Sequence, residues 1–290
     1  MRPQNLHPKI FLDSGNPEDT RRIKALMGFL DGQTTNPTLI SKHPVVQERV
    51  AAGQLFTADE ALGLYKNIVQ QISAEMPHGA ISIEVYADET TTKEEMLTQA
   101  DEFCTWITHP HIKFPITPAG LAAVEQAVVD GMNVNLTLCF SQEQAAAVYA
   151  ATRGAKPGQV FLSPFIGRLD DVGYDGVDVV KHIINMFENS DQHVQVLAAS
   201  IRNLAHLIRS IEFGADCLTV PFNVLSEWAA ASYPVTSVDT TASEPQSLLH
   251  PIEFSEIDLN KPWQEYNIAH ELTSKGLQKF VSDWQSLVQQ

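Results

Sequence analysis

The chain has 290 residues, of which 44% are hydrophobic and 19% are charged, an ordinary composition for a globular protein. Its formal net charge of −16 argues against nucleic acid and anionic membrane surfaces as partners. No apolar run reaches the roughly 18 residues that a membrane helix needs, and the N-terminus carries no signal segment. We therefore expect a cytoplasmic protein that binds neither nucleic acid nor membranes.

The cysteines and histidines indicate neither a disulfide nor a metal site. Cys104, Cys139 and Cys217 are isolated and odd in number, so we expect them to be small buried side chains. The ten histidines form no HExxH motif and no cluster with cysteine. We therefore predict that no metal is bound.

Strand-like and helix-like segments alternate between residues 9 and 221. The candidate strands are 9–14, 32–36, 80–85, 111–116, 133–139, 159–166, 193–200 and 217–221. The stretches with helical spacing are 17–29, 59–76, 92–106, 118–130, 141–151, 176–189 and 203–213. This α/β alternation predicts a (β/α)₈ TIM barrel over residues 1–232, with a doubly wound open sheet as the alternative. No glycine-rich nucleotide-binding motif favours a nucleotide fold.

Residues 233–290 follow the predicted barrel and divide into two parts. Residues 233–262 lack periodicity and carry many Pro, Ser and Thr, which predicts an irregular extension. Residues 264–288 show a helical apolar stripe, made of Ile268, Leu272, Leu277, Phe280, Val281, Trp284 and Val288. This additional C-terminal helix packs either on the barrel or on a neighbouring subunit, and packing within the subunit is the simpler expectation. We expect a homo-oligomer.

Lys113 lies in a short run that otherwise indicates a buried strand, residues 111–116. A lysine there is costly unless its charge is paired or lost. Desolvation lowers the pKa of a lysine, and the neutral amine is a nucleophile. The alternative is a lysine at a strand end that reaches water through its long side chain.

Other polar residues share the strand face of Lys113. Strand alternation places them in the barrel interior, mostly near the C-terminal ends where barrel enzymes have their sites. The set is Asp13, Glu84, Lys113, Asn135, Thr137, Ser163, Ser200 and Arg202. Any one of them alone could be a solvated strand end, but the shared parity favours one interior polar site.

This set contains the groups that a lysine-based aldol reaction needs. A neutral lysine condenses with a ketone, and the resulting iminium accepts electrons when the neighbouring C–C bond breaks. Glu84 is suited to move the carbinolamine proton, and Asp13 is suited to deprotonate the donor hydroxyl. Hydrogen bonds to substrate hydroxyls or to a water are expected from Asn36, Asn135 and Thr137.

Two arginines follow successive strands, Arg168 and Arg202. Together, near Ser200, they would hold a phosphate bidentately, although either arginine alone is more often an ion-pair partner. Local positive potential of this kind allows an acidic protein to bind a phosphorylated sugar.

At these residues the sequence resembles the transaldolase family over roughly residues 9–228. The motifs that carry the resemblance are FLDSGNPEDTRRI, DGQTTNPTLI, SIEV, IKFP, NVNLTLCFS, SPFIGRLDD and LAASIRN. The resemblance implies a (β/α)₈ barrel with Lys113 as the Schiff-base lysine, Glu84 and Asp13 as acid–base groups, and Thr137 positioning a water. It implies a substrate pocket made by Asn36, Asn135, Ser163, Phe165, Arg168, Ser200 and Arg202.

The implied reaction moves a dihydroxyacetone unit from fructose 6-phosphate or sedoheptulose 7-phosphate to an aldose phosphate, as in the pentose phosphate pathway. No cofactor is expected, because the lysine supplies the electron sink. Fructose-6-phosphate aldolases of the same superfamily typically carry glutamine in place of Glu84 and tyrosine in place of Phe165. An aldolase, a transaldolase for sulfonated sugars and a silent sugar-phosphate-binding barrel are the alternatives.

Overall fold

A computed structural model describes residues 2–236 and 249–289 of the chain. The strands are β1 (Lys9–Asp13), β2 (Gly32–Thr34), β3 (Ala80–Glu84), β4 (Pro110–Pro115), β5 (Val134–Cys139), β6 (Val160–Pro164), β7 (Val194–Ala198) and β8 (Cys217–Val220). All are parallel and follow chain order, and β8 closes the barrel by pairing with β1. The predicted (β/α)₈ barrel is therefore confirmed, and the open-sheet alternative is wrong.

Helices alternate with these strands in the described part of the chain. They are α1 (Pro17–Met27), α2 (Pro37–Ser41), α3 (Pro44–Ala51), α4 (Ala58–Glu75), α5 (Lys93–Cys104), α6 (Pro118–Val129), α7 (Gln142–Ala151), α8 (Ile166–Asp170), α9 (Gly176–Phe187), α10 (Leu204–Glu212), α11 (Phe222–Ala230) and α12 (Glu271–Gln285). The seven predicted helical stretches are all helices. The helices α2, α3 and α8 are too short to show a clear period, and α11 was not predicted although it is as long as α10. None of these helices is long and apolar enough to cross a bilayer.

The helices begin where polar side chains satisfy their first N–H groups. Asn16 accepts the Glu18 N–H at the start of α1, and Pro17 needs no partner there. Thr117 and Ser141 cap α6 and α7 in the same way. These caps set the direction in which each helix leaves its strand.

Strand register shows which side chains point into the barrel. Glu84 pairs with Lys113, Lys113 with Asn135, and Asn135 with Phe161, so these four residues face the same side. The Phe161 ring meets Phe11 from across the interior at 5.6 Å. Phe11 and Phe161 precede Asp13 and Ser163 by two residues on the same strand faces, so these rings lie below the predicted polar residues.

Strand β7 departs from the predicted alternation. Phe161 is paired with Gln195, so the odd-numbered residues of β7 face inward. The prediction from strand parity was wrong for Ser200 and Arg202, because β7 ends at Ala198. Ser200 then adopts a left-handed backbone with φ of 56°, which redirects the chain.

The segment 249–270 runs along the outside of the same barrel. The Ile252 N–H donates to Asp178 on α9 at 3.1 Å, and Gln142 on α7 bonds the backbone of Glu253 and Ser255 at 2.9 and 3.0 Å. It contains one short 3₁₀ helix, Trp263–Glu265. Residues 237–248 of the predicted irregular extension lie outside the described residues.

Helix α12 lies across the C-terminal mouth of its own barrel. Thr273 donates to the Leu138 carbonyl of β5 at 3.0 Å, and Leu138 has φ of 62° within a β-bulge. The helix is shorter than predicted because the His270 side chain caps it by accepting the Leu272 N–H. Ile268 therefore lies outside it, and Val288 follows its C-terminal end at Gln285.

Candidate active site

A cavity of about 170 Å³ opens at the C-terminal ends of the strands, beneath α12. Seven of the predicted site residues line it: Asp13, Asn36, Lys113, Ser163, Phe165, Arg168 and Ser200. Seven further residues complete the wall: Thr34, Thr38, Leu39, Lys42, Ala199, Thr219 and Phe280. The fold thus brings most of the predicted site together from the ends of five strands, and β8 and the distant helix α12 complete the wall.

Lys113 lines this cavity and forms an ion pair with Glu84, which is buried behind it and does not line the cavity. Its Nζ lies 2.8 Å from Glu84 Oε2, and both side chains are at most 4% exposed. The ammonium also donates to the Thr35 carbonyl at 3.2 Å. Burial raises the pKa of Glu84, and the charge of Lys113 opposes this rise. Glu84 is therefore a carboxylate with unusual affinity for a proton, held beside an amine.

Asp13 is the second carboxyl group at the cavity. Burial raises its pKa, and a 2.7 Å hydrogen bond from Thr34 works against that rise. The Thr34 hydroxyl also lies 2.5 Å from that of Thr219 on β8. The two threonines belong to the strands on either side of β1, so Asp13 is fixed from the flanking strands. Its proton affinity therefore exceeds that of an ordinary aspartate, a property that suits a general base.

Asn135 and Thr137 form the wall beside Lys113 and do not line the cavity. The Asn135 amide donates to Ser82 at 3.0 Å and accepts from Ser163 at 2.7 Å, so the network also fixes Ser163. Thr137 is fully buried, and its Oγ1 has no hydrogen-bond partner among residues 2–236 and 249–289. An unsatisfied buried hydroxyl is suited to hold a water or a substrate oxygen.

The segment Thr34-Thr35-Asn36-Pro37 serves several parts of the site at once. Thr34 bonds Asp13, and Thr35 supplies the carbonyl that accepts from Lys113. Asn36 uses its Oδ1 to cap α2 through the Leu39 N–H at 2.9 Å. Because Asn36 also lines the cavity, its NH₂ group is the part left for a ligand.

The two predicted arginines differ in environment. Arg168 lines the cavity and has no ion-pair partner in the described part of the chain. Burial lowers its pKa. Arg202 does not line the cavity, and it forms a two-pronged ion pair with Asp171, with Nη2 2.6 Å from Oδ2. Arg202 therefore shows the ion-pair arrangement kept as the alternative from sequence.

Sequence reasoning missed Lys42 and Phe280 because only the fold brings them to the cavity. Lys42 follows α2, and Phe280 lies on α12, well over a hundred residues after the arginine that it contacts. Thr34 was detectable, because it adjoins the other polar residues of the TTNP segment at a strand end. No group of three or more His, Cys, Asp or Glu in the described ranges is placed to hold a metal ion.

The fold and the site define a (β/α)₈ barrel with a lysine-centred cavity at its strand ends. The chain belongs to the transaldolase/fructose-6-phosphate aldolase family, which it matches over residues 10–290. A probable transaldolase of Dehalococcoides mccartyi is 33% identical over 279 residues, 96% of this chain and 99% of that protein. A probable transaldolase of Thermoplasma acidophilum is 37% identical over 217 residues, 75% of this chain and 86% of that protein. The chain is therefore an enzyme of the aldolase and transaldolase type.

Proposed function

We propose that the protein is a transaldolase that carries a dihydroxyacetone unit on Lys113. The observation that carries the proposal is the buried Lys113–Glu84 pair at a cavity that also contains Asp13. Glu84 Oε2 lies 2.8 Å from Lys113 Nζ, so its carboxylate can accept the ammonium proton and free the amine for attack. Retro-aldol chemistry then requires a second base, and Asp13 supplies it.

The proposed cycle starts with attack of Lys113 Nζ on C2 of fructose 6-phosphate. Glu84 returns its proton to the carbinolamine oxygen, water leaves, and an iminium forms. Asp13 removes the proton of the C4 hydroxyl, the C3–C4 bond breaks, and its electrons neutralise the iminium as an enamine. Glyceraldehyde 3-phosphate departs. The enamine then attacks the aldehyde carbon of an aldose phosphate, and hydrolysis releases the longer ketose.

Transfer to an acceptor is favoured over release of free dihydroxyacetone by the residue at position 165. Phe165 lines the cavity and has no hydroxyl that could protonate the enamine. The carboxyl group of Glu84 likewise matches the transaldolase pattern noted from sequence. The enamine therefore waits for an aldehyde, as a step in pentose phosphate metabolism requires.

The substrate phosphate is assigned to the side of the cavity where Arg168 and Ser200 lie. An unpaired guanidinium in a largely buried position attracts a tetrahedral oxyanion strongly. A sulfonate would satisfy the same donors. Kinetics with matched phosphorylated and sulfonated ketoses will distinguish the two substrate classes.

Borohydride reduction in the presence of fructose 6-phosphate tests the covalent step. We expect one reduced adduct on the peptide that contains Lys113, located by mass spectrometry. Lys42 is an internal control, because it lines the same cavity but forms no ion pair with a carboxylate among residues 2–236 and 249–289. Binding of the sugar phosphate without a label at Lys113 would overturn the proposal and leave a silent binding barrel.

Product analysis separates the two enzymatic candidates. We expect turnover of fructose 6-phosphate to depend on an aldose phosphate such as erythrose 4-phosphate, with formation of sedoheptulose 7-phosphate. Equal turnover with and without acceptor, together with free dihydroxyacetone, would identify an aldolase instead.

A further inference from the structure

Helix α12 belongs to the tail outside the predicted barrel, yet it contacts the phosphate-side arginine at two points. The Arg168 guanidinium carbon lies 5.4 Å from the centre of the Phe280 ring and 5.1 Å from that of Phe165. Both distances fall within the range of a cation–π contact. The two rings hold the arginine on hydrophobic surfaces and leave its N–H groups uncommitted to any carboxylate of the described residues.

Gly276 provides the second contact. It lies inside α12, where glycine costs about 1 kcal/mol relative to alanine. A Cβ at this position would overlap Arg168 Nη1 and would lie 2.6 Å from Leu138 Cδ2. The glycine therefore makes room for the guanidinium, and the helix accepts an unfavourable residue at the point nearest Arg168.

The tether between α12 and α2 keeps this wall in place. Thr38 on α2 donates to Asp283, one turn beyond Phe280 on α12. Phe280 itself is 4% exposed and lines the cavity. The position of Arg168 therefore depends on a helix that is anchored to the barrel at both α2 and β5.

We propose that Phe280 and Gly276 are positioning residues that set the affinity and selectivity of the site for phosphorylated over unphosphorylated sugars, by fixing Arg168. The inference rests on the proposed function and deepens it. It assigns part of the substrate specificity to the C-terminal helix of the same chain.

The first test is steady-state kinetics of Phe280→Ala with fructose 6-phosphate and with unphosphorylated fructose as donors. Loss of one cation–π contact in a largely buried site should raise the KM for fructose 6-phosphate about tenfold. The value of kcat, and kcat/KM for fructose, should change much less. Phe280→Tyr keeps an aromatic face and should restore the lower KM.

Leu287→Ala is the matched control, because it truncates an apolar residue just after α12, in a separate small cluster with Val46, Phe56 and Ala61. It shortens a buried apolar side chain of the same C-terminal segment, outside α12 and away from Arg168. Equal changes in KM for fructose 6-phosphate in Phe280→Ala and Leu287→Ala would overturn the inference. So would an equal loss of kcat/KM for both donors.

Gly276→Ala keeps the test decisive if Phe280→Ala fails to fold. Alanine favours the helix by about 1 kcal/mol, but its methyl group would also overlap Leu138, so Gly276→Ala is combined with Leu138→Ala. With that overlap relieved, a purely structural role predicts binding like that of Leu138→Ala alone. The inference predicts a rise in KM for fructose 6-phosphate of about tenfold, because the new methyl group displaces the guanidinium. Unchanged KM would overturn it.

Borohydride trapping with dihydroxyacetone, which has no phosphate, separates this inference from the proposed function. Wild-type protein and both α12 variants should be labelled equally at Lys113. If the wild type is labelled and the variants keep the wild-type preference for phosphorylated sugars, only the proposed role of α12 is wrong. Absence of label in all three proteins defeats the proposed function itself.

Discussion

The Lys113–Glu84 pair is created by strand register, because the two residues face each other on β3 and β4. Both side chains are buried, so the charge of each is compensated by the charge of the other. If Lys113 is removed, Glu84 can become neutral by binding a proton, because burial raises its pKa. Removal of one member should therefore abolish chemistry more completely than it damages the fold.

Lys113→Ala tests this expectation. Turnover and borohydride labelling should fall to background, because no other amine replaces the nucleophile. The variant should still unfold cooperatively in urea, with a free energy of unfolding lower by about 1–3 kcal/mol. Turnover comparable to that of the wild type in a folded variant would contradict the assignment of Lys113.

The buried, ionised carboxylate of Asp13 should lower the free energy of unfolding at neutral pH. A carboxyl group with a raised folded-state pKa binds its proton more tightly when folded, so it favours folding at low pH and loses this contribution as the pH rises through that pKa. Asp13→Asn should therefore raise Tm at about pH 8, with a gain that shrinks toward about pH 4, while retro-aldol cleavage is lost.

Asp171→Asn is the control of opposite sign for that pH series. The hydrogen bonds from Arg202 lower the pKa of Asp171, so this carboxylate contributes stability above its ordinary pKa and loses it as the pH falls. Asp171→Asn should lower Tm slightly at neutral pH. A fall in Tm for Asp13→Asn at about pH 8 would show that burial of this carboxyl group carries no cost.

The two arginines should contribute unequally to phosphate binding. At the cavity, Arg168 forms no ion pair with any described residue, whereas Arg202 would first have to loosen its ion pair with Asp171. Arg168→Ala should raise the KM for fructose 6-phosphate about 10- to 100-fold. Arg202→Ala should raise it less and change kcat little. The reverse order, measured under one salt condition, would contradict the placement of the phosphate beside Arg168.

At the scale of elements, α12 and β5 are joined by a buried polar contact. Thr273 donates to the Leu138 carbonyl at 3.0 Å and accepts from Gln144 at 2.8 Å. The backbone of Leu138 is left-handed, a conformation that leucine rarely adopts, and this bulge lets α12 reach its carbonyl. The contact connects the mouth of the barrel to the helix that covers it.

Thr273→Val removes this contact while keeping the shape of the side chain. The free energy of unfolding should fall by about 1–3 kcal/mol, because the Leu138 carbonyl and the Gln144 amide lose a buried partner. Thr98→Val on α5 is the control, since its hydroxyl bonds the Glu94 carbonyl at the surface and its loss should change stability little. Equal effects in urea denaturation would contradict a special role for the α12–β5 contact.

At the scale of the whole molecule, the barrel and much of its site were predictable because both follow from strand alternation. Glu84 and Lys113 share a face through periodicity that is visible in the sequence. Ser200 does not follow this rule, because the strand has already ended and its backbone is left-handed. Phe280 was unpredictable as a site residue, because a helical stripe shows which face is apolar but not which strand end it covers.

The prediction that the protein is a homo-oligomer concerns contacts between chains, which the structure of a single chain does not contain. Light scattering at micromolar concentration should give a mass that is an integer multiple, greater than one, of the chain mass. The packing of α12 on its own barrel means that the site of each subunit has a wall without help from a neighbour. A monomeric, fully active enzyme would refute the predicted assembly and leave the proposed mechanism intact.

The bulge at Leu138 makes two distant positions of the sequence interdependent. The leucine methyl groups, together with Arg168 Nη1, occupy the space that any side chain at position 276 would need. A residue larger than glycine at 276 therefore requires a smaller one at 138 as well as movement of the arginine side chain. Random mutagenesis at both positions, followed by selection for folding, should yield paired replacements rather than independent ones. Strand β5 and the C-terminal helix are therefore constrained to change together.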